Sequence, residues 1–210
     1  MKFSREFNLN HVDSFLLCEE KNNSMPRLFV CVWIPKEIIE RLNKLQNELR
    51  ETGAKAKLVE EKNFHVTVTF LGDVEQSKIN EIKMKLEACL KNVSEFHVNL
   101  NGLKVIPNEN YIKVIGVNVK SDELRVLIKN VGTGIGGSFY EEQKITLCRV
   151  KGVTNKMFLK NFIEKNRDIN LGSFHVKNVS LVKSTLTQYG PEYETIYKVK
   201  LKENEGKCFN

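Results

Sequence analysis

Apolar and polar residues alternate with a period of two between Asn63 and Asp73. The apolar set is Phe64, Val66, Val68 and Phe70, and the polar set is His65, Thr67 and Thr69. Alternation of β-branched and aromatic residues with polar ones predicts a half-buried strand, and Gly72-Asp73 predicts a turn at its end. We therefore expect the apolar set to face a core and the polar set to lie in a row on the other face.

A second short strand, predicted at 144–150, repeats this arrangement. Lys144 and Thr146 have the spacing of His65 and Thr67, with one apolar residue inside each pair. Two strands that each present a cation, a spacer and a threonine predict a duplicated architecture with one cleft between the copies. An imidazole beside hydroxyls on a rigid strand can move a proton at neutral pH and bind an oxyanion. The alternative is that His65 is an ordinary surface or core-edge residue.

Arg149 follows this second strand closely, but strict alternation puts it on the apolar face with Ile145 and Leu147. It can contact a substrate in the cleft only if the strand ends or bulges after Leu147. Otherwise Arg149 is structural, and the sequence leaves both possibilities open.

The rest of the chain is predicted to contain strands and helices in a mixed order. The other predicted strands are 28–34, 96–100, 111–115, 174–182 and 194–201. Helices are predicted to begin near Lys36, Ser77, Asp122 and Asn155. Residues 54–62 are predicted as a loop. The glycine-rich segment 132–137 suggests a phosphate-binding loop, but it leads into a strand and lacks the Walker Lys-Ser/Thr, so we interpret it as a loop beside the cleft.

Composition narrows the class of protein. The chain has 210 residues, 41% of them hydrophobic and 28% charged, which is typical of a globular protein with a sizeable core. Its net charge of +7 favours a polyanionic partner such as RNA. Five scattered cysteines suggest neither a disulfide framework nor a zinc site, so we expect a reducing, cytoplasmic setting. The longest apolar run, 28–34, is too short for a membrane span, and the N-terminus does not resemble a signal peptide.

These stretches together resemble the two-histidine phosphoesterase superfamily, and within it the LigT-like RNA 2′,3′-cyclic phosphodiesterases, also called 2′-5′ RNA ligases. Residues 65–68 match the first His-x-Thr-x signature of that family, and 146–151 resemble the flank of the second. Segments 172–174 and 184–195 are similar to its closing part. The likeness runs from about Pro26 to Leu201. Lys144 departs from it, because the family has a histidine at that position.

The resemblance implies an α+β fold of two pseudo-symmetric lobes, each an antiparallel sheet backed by helices, around a central cleft. We expect one such domain over 25–203, with lobe cores near 28–118 and 120–201 and possible exchange of strands. Residues 1–24 would form an N-terminal extension, either docked on the body or binding a partner, and 204–210 a C-terminal tail. The protein would be a monomer without cofactor or metal.

The implied chemistry is cleavage of RNA 2′,3′-cyclic phosphate ends, or of small cyclic nucleotides, to 2′-phosphates. The catalytic residues would be His65 and Lys144, the phosphate would bind Thr67 and Thr146, and Arg149 is a possible substrate contact. An ordinary lysine has a pKa of about 10.4 and is a cation at pH 7, so His65 would be the base. We expect Lys144 to weaken catalysis by about 10²- to 10⁴-fold. Two alternatives stay open: a catalytically silent module that binds nucleotides or RNA, and a purely structural protein.

Overall fold

The fold is described here from a computed structural model, which defines residues 25–140, 143–153 and 155–203. The predicted N-terminal extension at 1–24 and the C-terminal tail at 204–210 lie outside the described residues. Within the described part, nine strands and four α-helices follow one another in a mixed order. The strands are β1 (Arg27–Trp33), β2 (Ala54–Leu58), β3 (His65–Asp73), β4 (Phe96–Asn108), β5 (Tyr111–Lys120), β6 (Gln143–Val153), β7 (Asn170–Val176), β8 (Asn178–Leu186) and β9 (Pro191–Lys200). The helices are α1 (Lys36–Glu51), α2 (Ile79–Leu90), α3 (Asp122–Ile135) and α4 (Lys156–Lys165).

All nine strands belong to one curled antiparallel sheet with the order β7-β4-β5-β6-β3-β1-β8-β9, and β2 pairs separately with β6. The order is symmetric about the junction of β6 and β3, with four strands on each side. This confirms the predicted α+β fold with two pseudo-symmetric halves. The two predicted sheets are thus joined into a single sheet, and each half takes strands from both parts of the chain.

The helices cover one face of the sheet, and the cleft lies on the other. α1 packs against β2, β6, β7 and α4, while α2 and α3 pack on each other and on β9 and β3 respectively. Val66 and Ile145 point into the same core as Leu42 of α1 and Leu127 of α3. The apolar face of both predicted motif strands therefore turns towards the helices, which leaves the opposite face free for the site.

The uninterrupted apolar run in β1 serves two packing layers. Leu28, Val30 and Val32 join the main core, whereas Phe29 and Cys31 lie on the other face with Val182 in a smaller cluster. A strand that is covered on both faces needs apolar residues at every position. The prediction of a buried central strand at 28–34 is confirmed, and through Phe29 its second face packs against the His65 ring.

Several local predictions are wrong. Residues 54–58, predicted as part of a loop, form β2 on the edge of β6. The strand predicted at 174–182 breaks at Lys177 into β7 and β8, and Ser77 lies in a 3₁₀ helix instead of capping α2. The glycine-rich segment continues α3 to Ile135, and Gly136 ends the helix with a φ of 84°.

Two of these glycines lie inside α3 because their neighbours leave no room for a side chain. A Cβ on Gly132 would lie 2.1 Å from Cδ1 of Phe139, and one on Gly134 would lie 2.4 Å from Sγ of Cys89 in α2. Close packing of a helix on its neighbours therefore accounts for a sequence that suggests a loop. Among the described helices, none is long and apolar enough to cross a membrane.

Gln46 of α1 links the segment after β2 to β6. Its side chain is 4% exposed, and Nε2 donates to the carbonyl oxygens of Val59 at 2.9 Å and Leu147 at 2.8 Å. The Leu147 carbonyl also accepts from the backbone N–H of Val59 at 2.9 Å. The Gln46 amide therefore adds a side-chain donor to the backbone contact that joins this segment to β6.

We expect Gln46→Leu to lower the free energy of unfolding by about 2 kcal/mol, because it removes the two side-chain hydrogen bonds of Gln46, each of which contributes about 1 kcal/mol. Urea denaturation measures the change. Asn47→Leu is the matched control, since Asn47 is exposed on the same helix and its replacement should change stability by less than about 0.5 kcal/mol. Equal stability of the Gln46→Leu and Asn47→Leu proteins would contradict this account.

Candidate active site

The two motif strands meet directly. β3 and β6 are antiparallel neighbours in the sheet, with Val66 paired to Ile145. Extending this register by one residue puts His65 across from Thr146 and Thr67 across from Lys144. We expected the two cations to face each other from opposing sheets, and this was wrong: they lie diagonally on adjacent strands of one sheet.

The polar faces of these strands line a cleft of about 1010 Å³. All five candidate site residues of the sequence analysis line it: His65, Thr67, Lys144, Thr146 and Arg149. The first four are only partly exposed, as expected for side chains at the bottom of a cleft. The topology thus brings together residues that are far apart along the chain.

A bulge in β3 changes which side chains reach the cleft. Opposite β1, Val30 pairs with Thr69 and Cys31 with Thr67, so Val68 has no partner across the strand pair. An extra residue reverses the alternation beyond it. Thr69, predicted to face the cleft, is fully buried and donates to the Ser138 carbonyl at 3.0 Å. Phe70, predicted to face the core, is 43% exposed and lines the cleft.

An equivalent bulge lies at the same motif position in β6. Opposite β5, Ile115 pairs with Cys148 and Gly116 with Thr146, which leaves Leu147 as the extra residue. Leu147 and Cys148 are both buried, and Arg149 turns to the cleft. Of the two possibilities left open by the sequence, the structure therefore has the bulge that lets Arg149 face the cleft. Arg149 occupies the position in β6 that Phe70 occupies in β3.

The imidazole of His65 is held in one tautomer. Its Nδ1 lies 2.7 Å from the carbonyl oxygen of Asn63, and because a carbonyl can only accept, Nδ1 carries the proton. In the neutral ring, Nε2 then has a free lone pair. Asn63 is itself buried, and its Nδ2 donates to the carbonyl oxygen of Pro191 at 3.2 Å, which ties this contact to β9.

Aromatic rings pack around the His65 imidazole and remove much of its contact with solvent. The ring centroids of Phe29, Trp33 and Tyr193 lie 5.1, 5.8 and 5.4 Å from its own, and the Tyr193 ring meets it edge-on at 89°. This burial lowers the pKa of His65, the Asn63 hydrogen bond raises that pKa, and the positive charge of Lys144 lowers it. The net pKa is below the ordinary histidine value, so the imidazole is neutral at pH 7.

Lys144 lies in a crowded and positively charged setting. Burial lowers the pKa of Lys144, and the charges of Lys104 and Arg149 lower it further. The backbone beside it has no room for a side chain: a Cβ on Gly116 would lie 2.6 Å from the Ile145 carbonyl oxygen and 3.5 Å from Cδ of Lys144. Gly116 therefore lets β5 approach β6 where Lys144 extends over it.

The cleft attracts anions. Among the described residues, four cationic side chains line it, and Glu60 is the one carboxylate. The four are Lys57, Lys104, Lys144 and Arg149. Among the residues that the structure describes, no group of three or more His, Cys, Asp or Glu side chains could hold a metal ion. The arrangement offers a neutral base, an adjacent ammonium group and two hydroxyls to a singly or doubly charged anion.

Sequence reasoning missed several residues that shape this site. Tyr193, Trp33 and Phe29 enclose His65 from β9 and β1, but along the chain they look like ordinary strand residues. Gly116 lay just beyond the strand predicted at 111–115, and an isolated glycine in a continuing strand pattern is the signal that could have found it.

Known proteins with similar sequences are phosphoesterases. The family described as LigT-like phosphoesterase matches residues 32–116, a range that contains His65 and Thr67. An RNA 2′,3′-cyclic phosphodiesterase of Methanocaldococcus jannaschii is 35% identical over 175 residues, covering 81% of this chain and 98% of the relative. A protein of the same name from Aeropyrum pernix is 32% identical, covering 78% of this chain and 96% of the relative.

Solved structures share the fold. The crystal structure of TT0787 from Thermus thermophilus superposes with a TM-score of 0.72 at 22% identity, covering 85% of this chain and 99% of that protein. The structure of E. coli LigT complexed with ATP gives a TM-score of 0.63 at 18% identity, with coverages of 85% and 99%.

We expect the pKa of His65 to lie below 6.5 and to rise in Lys144→Met, because the substitution removes one of the effects that lower it. Burial is the largest effect and persists, so the pKa of the variant should still lie below the ordinary value. Imidazole ¹⁵N shifts followed against pH give both the pKa and the Nδ1–H tautomer. Lys57→Met is the control and should leave the His65 pKa unchanged. A lower His65 pKa in Lys144→Met, or an Nε2–H tautomer, would refute this assignment.

Proposed function

The chain belongs to the LigT-like phosphoesterase family, and we propose that it is an RNA 2′,3′-cyclic phosphodiesterase that opens cyclic phosphate ends to 2′-phosphates. The observation that carries this proposal is the neutral imidazole of His65, with its free Nε2 beside Lys144 in a cationic cleft. The relatives named RNA 2′,3′-cyclic phosphodiesterase support the reaction, since the chain covers nearly the whole length of each.

In the proposed reaction, His65 is the general base. Its Nε2 accepts a proton from a water molecule as the water oxygen bonds to phosphorus. The hydrogen bond from Nδ1 to Asn63 keeps this nitrogen available and stabilises the imidazolium that forms, because the donor remains in place when the ring becomes charged.

Lys144 supplies the positive charge on the other side. As the bond from phosphorus to O3′ breaks, the Lys144 ammonium gives a proton to that oxygen, and the 2′-phosphate remains. The lowered pKa of Lys144 favours this transfer, because it makes the ammonium a stronger acid than an exposed lysine. The hydroxyls of Thr67 and Thr146, placed symmetrically on β3 and β6, donate to the non-bridging oxygens as their charge grows. Arg149 binds the substrate phosphate or the chain next to it.

The proposal also covers the metal requirement, the substrates, the oligomeric state and the cellular setting. These steps use side chains alone, so the proposed reaction needs no metal. The substrates would be RNA ends or small cyclic nucleotides, bound by a monomer. Cys31, Cys89 and Cys148 are free thiols, which supports a reducing setting such as the cytoplasm.

Lys144 favours a second candidate function, a nucleotide- or RNA-binding module without turnover. An ammonium group binds phosphate as well as an imidazolium does, but it is the poorer partner in proton transfer near neutral pH. Micromolar binding of a nucleotide with no product after hours would favour this module over the enzyme.

For the enzyme, we expect His65→Ala to remove detectable hydrolysis of an oligonucleotide ending in a 2′,3′-cyclic phosphate, because His65 is the only imidazole among the described residues that line the cleft. Product is followed by chromatography, with EDTA present throughout, since the proposed steps use no metal. His97→Ala is the control for a histidine outside the cleft and should keep wild-type activity. Full activity of His65→Ala, or loss of wild-type activity in EDTA, would refute the proposal.

Lys144→His should raise the rate of hydrolysis by about 10²- to 10⁴-fold, because an imidazole matches the proton transfer at neutral pH better than an ammonium does. Lys144→Met should lower the rate below wild type, since it removes the proton donor and the charge together. Both kcat and KM are measured, and the change should lie in kcat. If Lys144→His hydrolyses the substrate no faster than the wild type, Lys144 is not a poorer proton donor than a histidine at this position, and the proposal for Lys144 is refuted.

A further inference from the structure

A second cavity adjoins the cleft, and all the charged residues that line it within the described part of the chain are cations. It measures about 540 Å³ and lies between the end of β5 and α3. Its charged lining residues are Lys104, Lys120, Arg125 and Lys129. Lys104, Phe139 and Gln143 line both cavities, so the two are direct neighbours.

Three of these cations lie at the protein surface. Lys120, Arg125 and Lys129 are all exposed. Arg125 has an ion pair with Asp122 at 3.2 Å, but both side chains are more than half exposed, and such a pair contributes little. Concentrated positive charge without a core or catalytic role is typical of a surface that binds a phosphate backbone.

A cyclic phosphate is the 3′ end of an RNA strand, so every other nucleotide must leave the cleft by one route. At the rim formed by the turn between β8 and β9, Nζ of Lys57 already donates to the Tyr189 carbonyl at 2.9 Å, and Glu60 adds a carboxylate. At the other rim the second cavity has four cationic lining residues and, among the residues that the structure describes, no acidic one. The charges favour the route past Lys104.

We propose that this second cavity binds the backbone phosphates of the nucleotides that precede the cyclic end. The inference rests on the proposed function, because it takes the cleft as the place of the 3′ end. It assigns a substrate class: the enzyme prefers RNA strands of several nucleotides over a cyclic mononucleotide, which reaches only the cleft.

The test compares Lys120→Glu/Lys129→Glu with the control Lys156→Glu/Lys160→Glu. Both pairs make the same change in net charge, and the control residues are exposed on α4, outside both cavities. For each protein, kcat/KM is measured on a hexanucleotide ending in a 2′,3′-cyclic phosphate and on 2′,3′-cyclic AMP. We expect the ratio of the two values to fall at least about tenfold in the cavity variant and to change little in the control. An unchanged ratio, or an equal fall in both variants, would overturn the proposal.

A binding measurement separates the proposed phosphodiesterase function from the proposed role of the second cavity. Fluorescence anisotropy measures the affinity for the same hexanucleotide with an unreactive 3′-hydroxyl end. Loss of two phosphate contacts should reduce the slope of log Kd against log salt by about 1.4 in the cavity variant. If the wild type hydrolyses neither substrate, the proposed function fails, and this slope still decides whether the second cavity binds RNA. A slope equal to that of the wild type would exclude it.

Discussion

The pairing of β3 with β6 is the contact on which the whole site depends. Val66 and Ile145 form the one strand pair between the two halves of the described sheet. Because the pairing is antiparallel and centred on these spacer residues, it relates the two motifs by a local twofold arrangement. His65 and Thr67 then face the same cleft as Lys144 and Thr146. A shift of one residue in this register would turn the polar set of one strand into the core.

Matched bulges extend this symmetry beyond the motifs. The extra residues of the two strands are Val68, three residues after His65, and Leu147, three residues after Lys144. Each bulge buries the following residue and turns the next one, Phe70 or Arg149, to the cleft. The two halves therefore share a backbone but differ in chemistry: one half contributes a neutral base and an aromatic ring, and the other contributes two cations.

Periodicity predicted the parts of this structure that depend on burial alone. The β1, β3 and β6 strands, the amphipathic α1 helix and the shared face of His65 and Lys144 follow from which positions are apolar. The bulges could not be predicted, since a bulge is defined by the partner strand and leaves the sequence pattern of either strand intact. The extension of α3 through two glycines was missed because the requirement comes from Phe139 and Cys89, which only the folded structure brings close.

The central claim is that a neutral imidazole, His65, and an ammonium group, Lys144, share one phosphate site, and a crystal structure with adenosine 2′-phosphate, the product of a cyclic end, tests it most directly. The account predicts that the phosphate lies within hydrogen-bond reach of His65 Nε2 and Lys144 Nζ, with the hydroxyls of Thr67 and Thr146 on its remaining oxygens. A phosphate bound away from either His65 or Lys144, with that side chain turned from it, would contradict the account.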